Sequence, residues 1–373
     1  MDCEVAIIGG GPAGTSLAVA LATRGIDVVV LERSPVPRAK CCAGGLTVAA
    51  WRLLPLEADS IIEHSFRTLR VSSLDGGSVV WTEAEPFMYT VDRARLDSAL
   101  WDEAARRGAR VFDSCEVLHI EETPGCVLVS SSSLDVRCRI AVGADGATGL
   151  VSHSLFPSRR RHVAVGVVME CERPAGTVPE GGLPVVDLVI GLPDGCYGWV
   201  FPKRDVISVG IECHRRLVER EAALSRVRSF AGMAEWRVVY RGAHPIPTAR
   251  GGSAHFARGR ILLVGDAAGL CDPLTGEGIR NALLSAKLAA DAISEALGRE
   301  DSDLRGYDAA IQRTILPELR AAMMLLHLVF RLERTAFAVL RHQERARRTC
   351  TRLLRGEVTY APLLQAVAQL GGE

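Results

Sequence analysis

The chain has 373 residues, enough for two or three domains of about 150 residues each, and 48% hydrophobic against 24% charged residues describes a folded globular protein rather than a disordered one. Lysine and arginine total 44, as do aspartate and glutamate, so no net field is present to hold nucleic acid and a nucleic-acid-binding role is excluded as the main reading. Eleven cysteines run from Cys3 to Cys350 without a CxxC pair, which argues against a zinc ribbon, any other metal site and a disulfide scaffold.

The opening MDCEVAIIGGGPAG carries an acid at position 2 and glycines where an export signal needs an unbroken apolar core, so the expected location is a reducing, cytoplasmic compartment. Residues 5–9 then form an apolar run. It leads through glycines into 15–24, where Leu17, Ala18, Leu21 and Ala22 recur at helical spacing. Residues 26–31 are a second apolar run closed by Glu32, which completes a βαβ unit with parallel strands and predicts an α/β fold. Two Pro, two Cys and two Gly make 35–46 a loop. Helical periodicity returns at 92–107, and a strand follows at 109–112. Between Val163 and Cys213 the runs VAVGVVMEC, VVDLVIGL and DVISVGIEC, separated by Pro and Gly turns, predict an inserted antiparallel sheet. Residues 261–264 read as a buried strand and 278–297 as a long helix.

No internal repeat or low-complexity linker separates these parts, so the units are interleaved. Residues 1–75, 92–160 and 250–310 form a discontinuous nucleotide-binding domain, 76–91 and 161–249 the antiparallel-sheet domain, and 311–373 a helical region. No run of 18 apolar residues exists to span a bilayer. Residues 321–330 are apolar apart from His327, and eight arginines between Arg331 and Arg355 face only Glu333 and Glu344. Two readings stay open for this region: a buried helix followed by a solvated one, or an amphipathic surface lying on an anionic membrane.

Gly9, Gly11 and Gly14 satisfy GxGxxG between the first strand and helix. Such glycines allow a tight turn, close approach of a pyrophosphate and close helix–strand packing, while the helix N-terminus offers N–H groups to phosphate. Glu32, eighteen positions after Gly14, is placed to accept from ribose hydroxyls. Together these predict dinucleotide binding.

Two later strands end in Gly-Asp or Asp-Gly, IAVGADG at 140–146 and ILLVGDAA at 261–268, the second followed by Pro273, Gly276 and Gly278. This series resembles the FAD-containing hydroxylase-like superfamily. Within it, Lys40-Cys-Cys-Ala-Gly-Gly-Leu46 is similar to the cysteine- and glycine-rich stretch of geranylgeranyl reductases, with Cys41 and Ala43 as departures. Tyr197-Gly-Trp-Val-Phe-Pro-Lys203 matches their YxWxFPK segment. The likeness covers about residues 1–310. It implies a Rossmann-like FAD-binding domain with an interleaved antiparallel-sheet substrate domain and C-terminal helices. For FAD it implies contacts at Gly9, Gly11, Pro12, Ala13, Gly14, Glu32, Arg33, Arg38, Lys40, Gly44, Gly45, Arg93, Asp145, Gly265, Asp266, Pro273, Gly276, Gly278 and Ile279. Arg95 stands as close in sequence as Arg93 to the arginine the family places there.

Read without the family, Tyr197, Trp199 and Phe201 alternate and so share one strand face, which either walls a long apolar pocket or belongs to ordinary sheet core. The resemblance favours the pocket and adds Lys203 to the substrate contacts. The implied chemistry is reduction of C=C bonds in a prenyl chain on a lipid, quinone or tetrapyrrole precursor. Flavin hydride goes to one carbon and a proton from Cys42 or Tyr197 to the other. With one GxGxxG only, the electron donor stays open among NADPH, a ferredoxin and a deazaflavin. A monooxygenase or halogenase of the same fold is the first alternative; a redox module switching through Cys41 and Cys42 is the second.

Overall fold

A computed structural model describes residues 1–57, 59–156, 161–173, 185–192, 195–214, 220–249, 255–299, 303–360 and 363–364. The last part of the C-terminal region, 365–373, lies outside the described residues, as do the proposed domain junctions at 160 and 250.

The chain opens with β1 (Asp2–Ile8), α1 (Pro12–Thr23) and β2 (Val28–Leu31). Every residue of β2 and the last four of β1 are buried, as strands covered on both faces require. Pro12 occupies the first turn of α1, where its missing N–H costs nothing. Next come β3 (Gly45–Thr47), α2 (Val48–Trp51), β4 (Ile62–Phe66), β5 (Thr68–Ser73), β6 (Ser78–Thr82) and β7 (Met88–Val91). Helix α3 (Arg93–Arg106) starts at Asp92, whose side chain accepts from the Arg95 N–H at 2.9 Å as an N-cap. Then β8 (Arg110–Phe112), β9 (Val117–Thr123), β10 (Cys126–Ser131), β11 (Asp135–Gly143) and α4 (Leu150–Leu155) lead to the second unit. That unit holds β12 (Arg161–Glu172), β13 (Val185–Leu192), β14 (Cys196–Pro202), β15 (Val206–Cys213), α5 (Arg220–Phe230) and β16 (Val238–Ala249). The chain returns through β17 (Ala257–Arg258) and β18 (Ile261–Leu263) to α6 (Ile279–Arg299), α7 (Arg305–Thr314), α8 (Leu316–Arg331), α9 (Glu333–His342) and α10 (Glu344–Leu354).

Among the described residues the first sheet has the order β17-β18-β11-β1-β2-β8, parallel from β18 to β8, with β10 and β9 added antiparallel beside β11. The second sheet runs β16-β12-β15-β14-β13-β5-β6, and β3-β7-β4 form a small third one. The inserted antiparallel sheet is therefore present, with two boundary corrections. Residues 68–73, assigned above to the nucleotide unit, form β5 and pair in parallel with β13. Residues 88–91, assigned to the second unit, pair instead with β3 and β4.

The second sheet sorts its residues by the two-residue period of a strand. One face sends Val167, Met169, Val209 and Ile211 against Leu224 and Val227 of α5. The opposite face, with Gly166, Val168, Tyr197, Trp199, Phe201 and Glu212, borders a cavity. On the α5 side Cys196 and Cys213 stand opposite each other and are joined as a disulfide, the one pair among eleven cysteines. One pair is not a disulfide scaffold, and spacing in sequence does not announce it, because the two cysteines sit on strands brought side by side. Of the C-terminal helices, α8 buries Leu319, Ala322, Leu325 and Leu326 whereas α9 buries nothing. Among the described residues no helix is long and apolar enough to cross a membrane.

Candidate active site

The glycines do what the fingerprint demands. Gly9 has φ +112°, and a Cβ there would lie 2.3 Å from the Ala144 carbonyl oxygen. A Cβ on Gly14 would lie 2.0 Å from the Gly9 oxygen, so β1, α1 and the end of β11 meet backbone to backbone. Gly11, Pro12 and Ala13 face the cavity. Glu32 accepts from the Gly10 N–H at 2.8 Å and from the Ser34 N–H at 3.0 Å, which fixes its carboxylate at the end of β2. Arg38 lies 3.6 Å from Glu32 and 3.5 Å from Asp97, its Nε buried without a partner. Arg33 lines the same wall.

Asp145 shows what this end of the cavity is built to receive. Its Oδ2 accepts from the Val151 N–H at 2.9 Å, while Oδ1 is buried with no hydrogen-bond partner. Burial pushes its carboxyl up to about 6, a cost that a hydroxyl donor from a bound sugar would remove. The unpartnered Asp145 Oδ1 and Arg38 Nε, the phosphate-sized glycine cradle and the acid at the end of β2 all fit a dinucleotide.

At the other end, Gly276, Glu277, Gly278 and Ile279 bring the N-terminus of α6 to the cavity wall. Asp266 sits beside Gly278; burial raises its carboxyl, against the pull of Lys40 and Arg93. Gly265 and Pro273 do not line the cavity. Gly265 packs the turn against Ala13, where a Cβ would come within 2.9 Å. Arg93, not Arg95, is the arginine of the site. Arg93 is buried, pairs with both carboxylate oxygens of Asp97 at 3.0 and 3.1 Å and hydrogen-bonds Cys42. Burial opposes its charge, yet Asp97 and Cys42 hold its pKa above the usual value. Arg95 is exposed, two residues on and so on nearly the opposite side of the helix.

Lys40 reaches His244 at 3.0 Å. Burial, then Arg93, lowers the lysine; burial, then Lys40, pushes His244 down to about 4, so the imidazole is a neutral acceptor at pH 7. Cys42 faces the cavity and accepts from the Gly44 N–H at 3.4 Å. Cys41, whose thiol burial pushes up to about 11, lies against Tyr240 and Gly242. Gly45 lines the wall; Gly44, at φ +80°, lies behind it against Val91 and Lys203.

Tyr197, Trp199 and Phe201 all line the cavity, which has a volume of about 790 Å³. Its far wall comes from Leu326, Val329 and Phe330 of α8, Leu340 of α9, and Leu353 and Leu354 of α10. The cavity thus continues from the nucleotide cradle past the α6 N-terminus into an apolar space. Lys203 is a correction: it does not line this space. It keeps to that side of the sheet by alternation, but β14 ends at Pro202, and its buried ammonium pairs with Glu170. Sequence reading missed Glu212, His214, His244 and Glu277. Glu212 accepts from the Tyr197 hydroxyl at 2.8 Å and is 1% exposed. Glu277 takes the Thr47 hydroxyl at 2.5 Å, and burial pushes it up to about 7. No local signal marks these residues, because each acquires its role from a cross-strand or loop neighbour.

The FAD binding domain pattern matches residues 2–314. The chain belongs to this family. It is an FAD-dependent oxidoreductase, and its relatives include proteins named for prenyl substrates. It is 27% identical over 329 residues to digeranylgeranylglycerophospholipid reductase of Methanothrix thermoacetophila, covering 84% of this chain and 83% of that one. It is 28% identical over 356 residues to chloroplastic geranylgeranyl diphosphate reductase of Arabidopsis thaliana, covering 88% and 74%. Among solved structures, a geranylgeranyl bacteriochlorophyll reductase-like protein of Thermoplasma acidophilum superposes with a TM-score of 0.76 over 92% of each chain; at 21% identity this is a likeness of fold.

Proposed function

We propose that this flavoprotein saturates isolated C=C bonds of a geranylgeranyl-type chain carried on a lipid, quinone or tetrapyrrole precursor. The observation that carries the reading is the continuity of the cavity: a nucleotide cradle opens into an apolar space walled by Trp199, Phe201 and the C-terminal helices. Bound FAD, once reduced, supplies hydride. Trp199, Phe201 and the leucines of α8 to α10 hold an alkene chain and exclude water from it. Cys42 and Tyr197 both line the cavity as the candidate proton donors, and the phenol stays protonated at neutral pH because burial, then Glu212, raises it well above its ordinary value. Electrons come from a donor of the NADPH, ferredoxin or deazaflavin class.

Peripheral membrane contact belongs to the same reading. Helices α9 and α10 turn Leu340 and Leu353 to the cavity, while Leu332, Arg334, Arg341 and Arg345 are exposed. Such a surface suits an anionic bilayer from which a greasy chain enters.

The deciding experiment is anaerobic. The protein is reduced with dithionite and mixed with geranylgeranyl diphosphate or a geranylgeranylated lipid, and flavin reoxidation is followed with product mass. Reoxidation with two hydrogens gained per double bond is expected. Reoxidation only after air is admitted, with an oxygenated or halogenated product, refutes the proposal in favour of a monooxygenase or halogenase.

A further inference from the structure

Tyr197 is one end of a line of titratable groups crossing the second sheet. In the β14–β15 register Tyr197 stands opposite Glu212, and His214, two residues on, shares that face. In the β12–β15 register Gly166 stands opposite Glu212, which places His162, four residues earlier, on the same face. The side chains meet accordingly. The Tyr197 hydroxyl donates to Glu212 Oε2 at 2.8 Å, Glu212 Oε1 lies 3.3 Å from His214 Nε2, and His214 Nδ1 lies 3.0 Å from His162 Nε2. Glu212 Oε1 and His214 Nε2 are both buried and lack an aligned hydrogen bond, so the two unsatisfied atoms face each other. The imidazoles stack at 5.3 Å between centroids, and Phe330 covers His214 at 5.9 Å.

Burial is graded along this line. Tyr197 lines the cavity, Glu212 is 1% and the His214 side chain 6% exposed, and His162 is half-buried. A carboxylate at the wall of an apolar cavity and an imidazole behind it cost free energy without contributing to its packing. Cys42, by contrast, contacts the Gly44 N–H and Arg93, neither of which has a proton to spare at neutral pH.

We infer that Glu212, His214 and His162 form a relay that resupplies Tyr197 with the proton it gives to the alkene. The inference rests on the prenyl-reductase reading and adds the donor and its route. Hydride from reduced FAD forms one C–H bond, and the Tyr197 proton forms the other as the phenolic O–H breaks. Glu212 returns a proton to the phenolate oxygen, His214 restores Glu212, and His162 restores His214 from solvent. Among the described residues, the titratable groups around the Tyr197 end of this line are Cys271 and Asp272, with Asp266 and Glu277 behind Cys271.

Two readouts test it on the full FAD-loaded chain with Glu212→Gln, His214→Gln and Tyr197→Phe, each checked for an unchanged flavin spectrum. In the first, proton NMR follows the hydrogen-bonded ring N–H resonance of His214 without turnover. Glu212→Gln shifts or removes that resonance, because the ring loses the carboxylate 3.3 Å from Nε2; an unchanged resonance overturns the relay. In the second, anaerobically reduced protein is mixed with geranylgeranyl diphosphate. Glu212→Gln and Tyr197→Phe slow reoxidation by about 100-fold or more, the scale of general-acid catalysis. His214→Gln abolishes the wild-type fall in rate at rising pH. Reoxidation of Glu212→Gln within about threefold of wild type overturns the relay. If wild-type protein is not reoxidised by any prenyl alkene, the functional reading falls, and the ring N–H resonance alone judges the His214–Glu212 contact.

Discussion

Gly210→Ala tests the architecture of the cavity wall. Gly210 lies directly opposite Trp199 on β15, and a Cβ there would sit 2.0 Å from Cζ2 of the indole, 2.5 Å from Cε2 and 2.6 Å from Cη2. To regain the about 3.5 Å of an unstrained carbon contact, the ring must retreat by about 1.5 Å. The room for that retreat is the cavity that Trp199 lines, so the ring leaves its packed position on β14, and displacement of this kind costs about 1–3 kcal/mol. Retreat also breaks the bond from Trp199 Nε1 to Ser208 Oγ at 3.2 Å, a net loss of about 1 kcal/mol. The expected destabilisation is about 2–4 kcal/mol, read as a lower urea midpoint by circular dichroism. The displaced ring moves into the cavity and raises KM for the prenyl substrate, while FAD binding, which uses other walls, is retained. Trp199→Phe removes the six-membered part of the indole that meets the new methyl. The double variant therefore recovers about 1–3 kcal/mol relative to additivity. A Gly210→Ala protein within about 0.5 kcal/mol of wild type, or a strictly additive double variant, refutes the reasoning.

Burial pushes Glu277 up to about 7 from an ordinary 4.5, so the folded chain binds this proton more tightly than the unfolded one. The stabilisation is complete below the ordinary value and is lost as pH rises to about 7. Glu277→Gln in FAD-free protein should flatten this fall by at most about 3 kcal/mol, and parallel stability–pH curves for the two proteins would refute it. At the surface proposed to meet a membrane, each exposed arginine would contribute about 1 kcal/mol on an anionic bilayer, so replacing Arg334, Arg341 and Arg345 by Gln should weaken partitioning onto phosphatidylserine vesicles by about 100-fold. Unchanged vesicle binding in a sedimentation assay would remove the membrane from the functional reading.

The parts of this site that were legible in sequence are those whose geometry is local. The Gly9–Gly14 turn, Glu32 at a strand end and Asp266 with its following glycines each sit within one turn or one strand–helix junction, where residue type dictates backbone shape. Arg93 and Arg95 were indistinguishable because both belong to the first turn of α3; packing decides, burying Arg93 against Asp97 and leaving Arg95 outside. Lys203 was placed with the aromatics because it follows their alternation, but alternation gives the face and not how far along the sheet the cavity extends. The assignment of 68–73 failed for a related reason. Its parallel partner is β13, more than a hundred residues away in sequence, and no local pattern announces such pairing.

Register is the quantity on which function here depends most and which the sequence states least. A slip of one residue between β14 and β15 would turn Glu212 to the α5 side and bury its carboxylate among Val209, Ile211 and Val227, so the hydrophobic pattern excludes it. A slip of two residues keeps the faces but takes Glu212 away from Tyr197. Two features oppose that second error. Trp199 fits only opposite a residue without a side chain, which Gly210 provides, and Cys196 meets Cys213 only in the register that sets Tyr197 against Glu212. The cross-strand disulfide and the glycine–tryptophan pair therefore flank the Tyr197–Glu212 contact on β14 and β15. They fix the one alignment in which a phenol at the cavity wall has a carboxylate behind it.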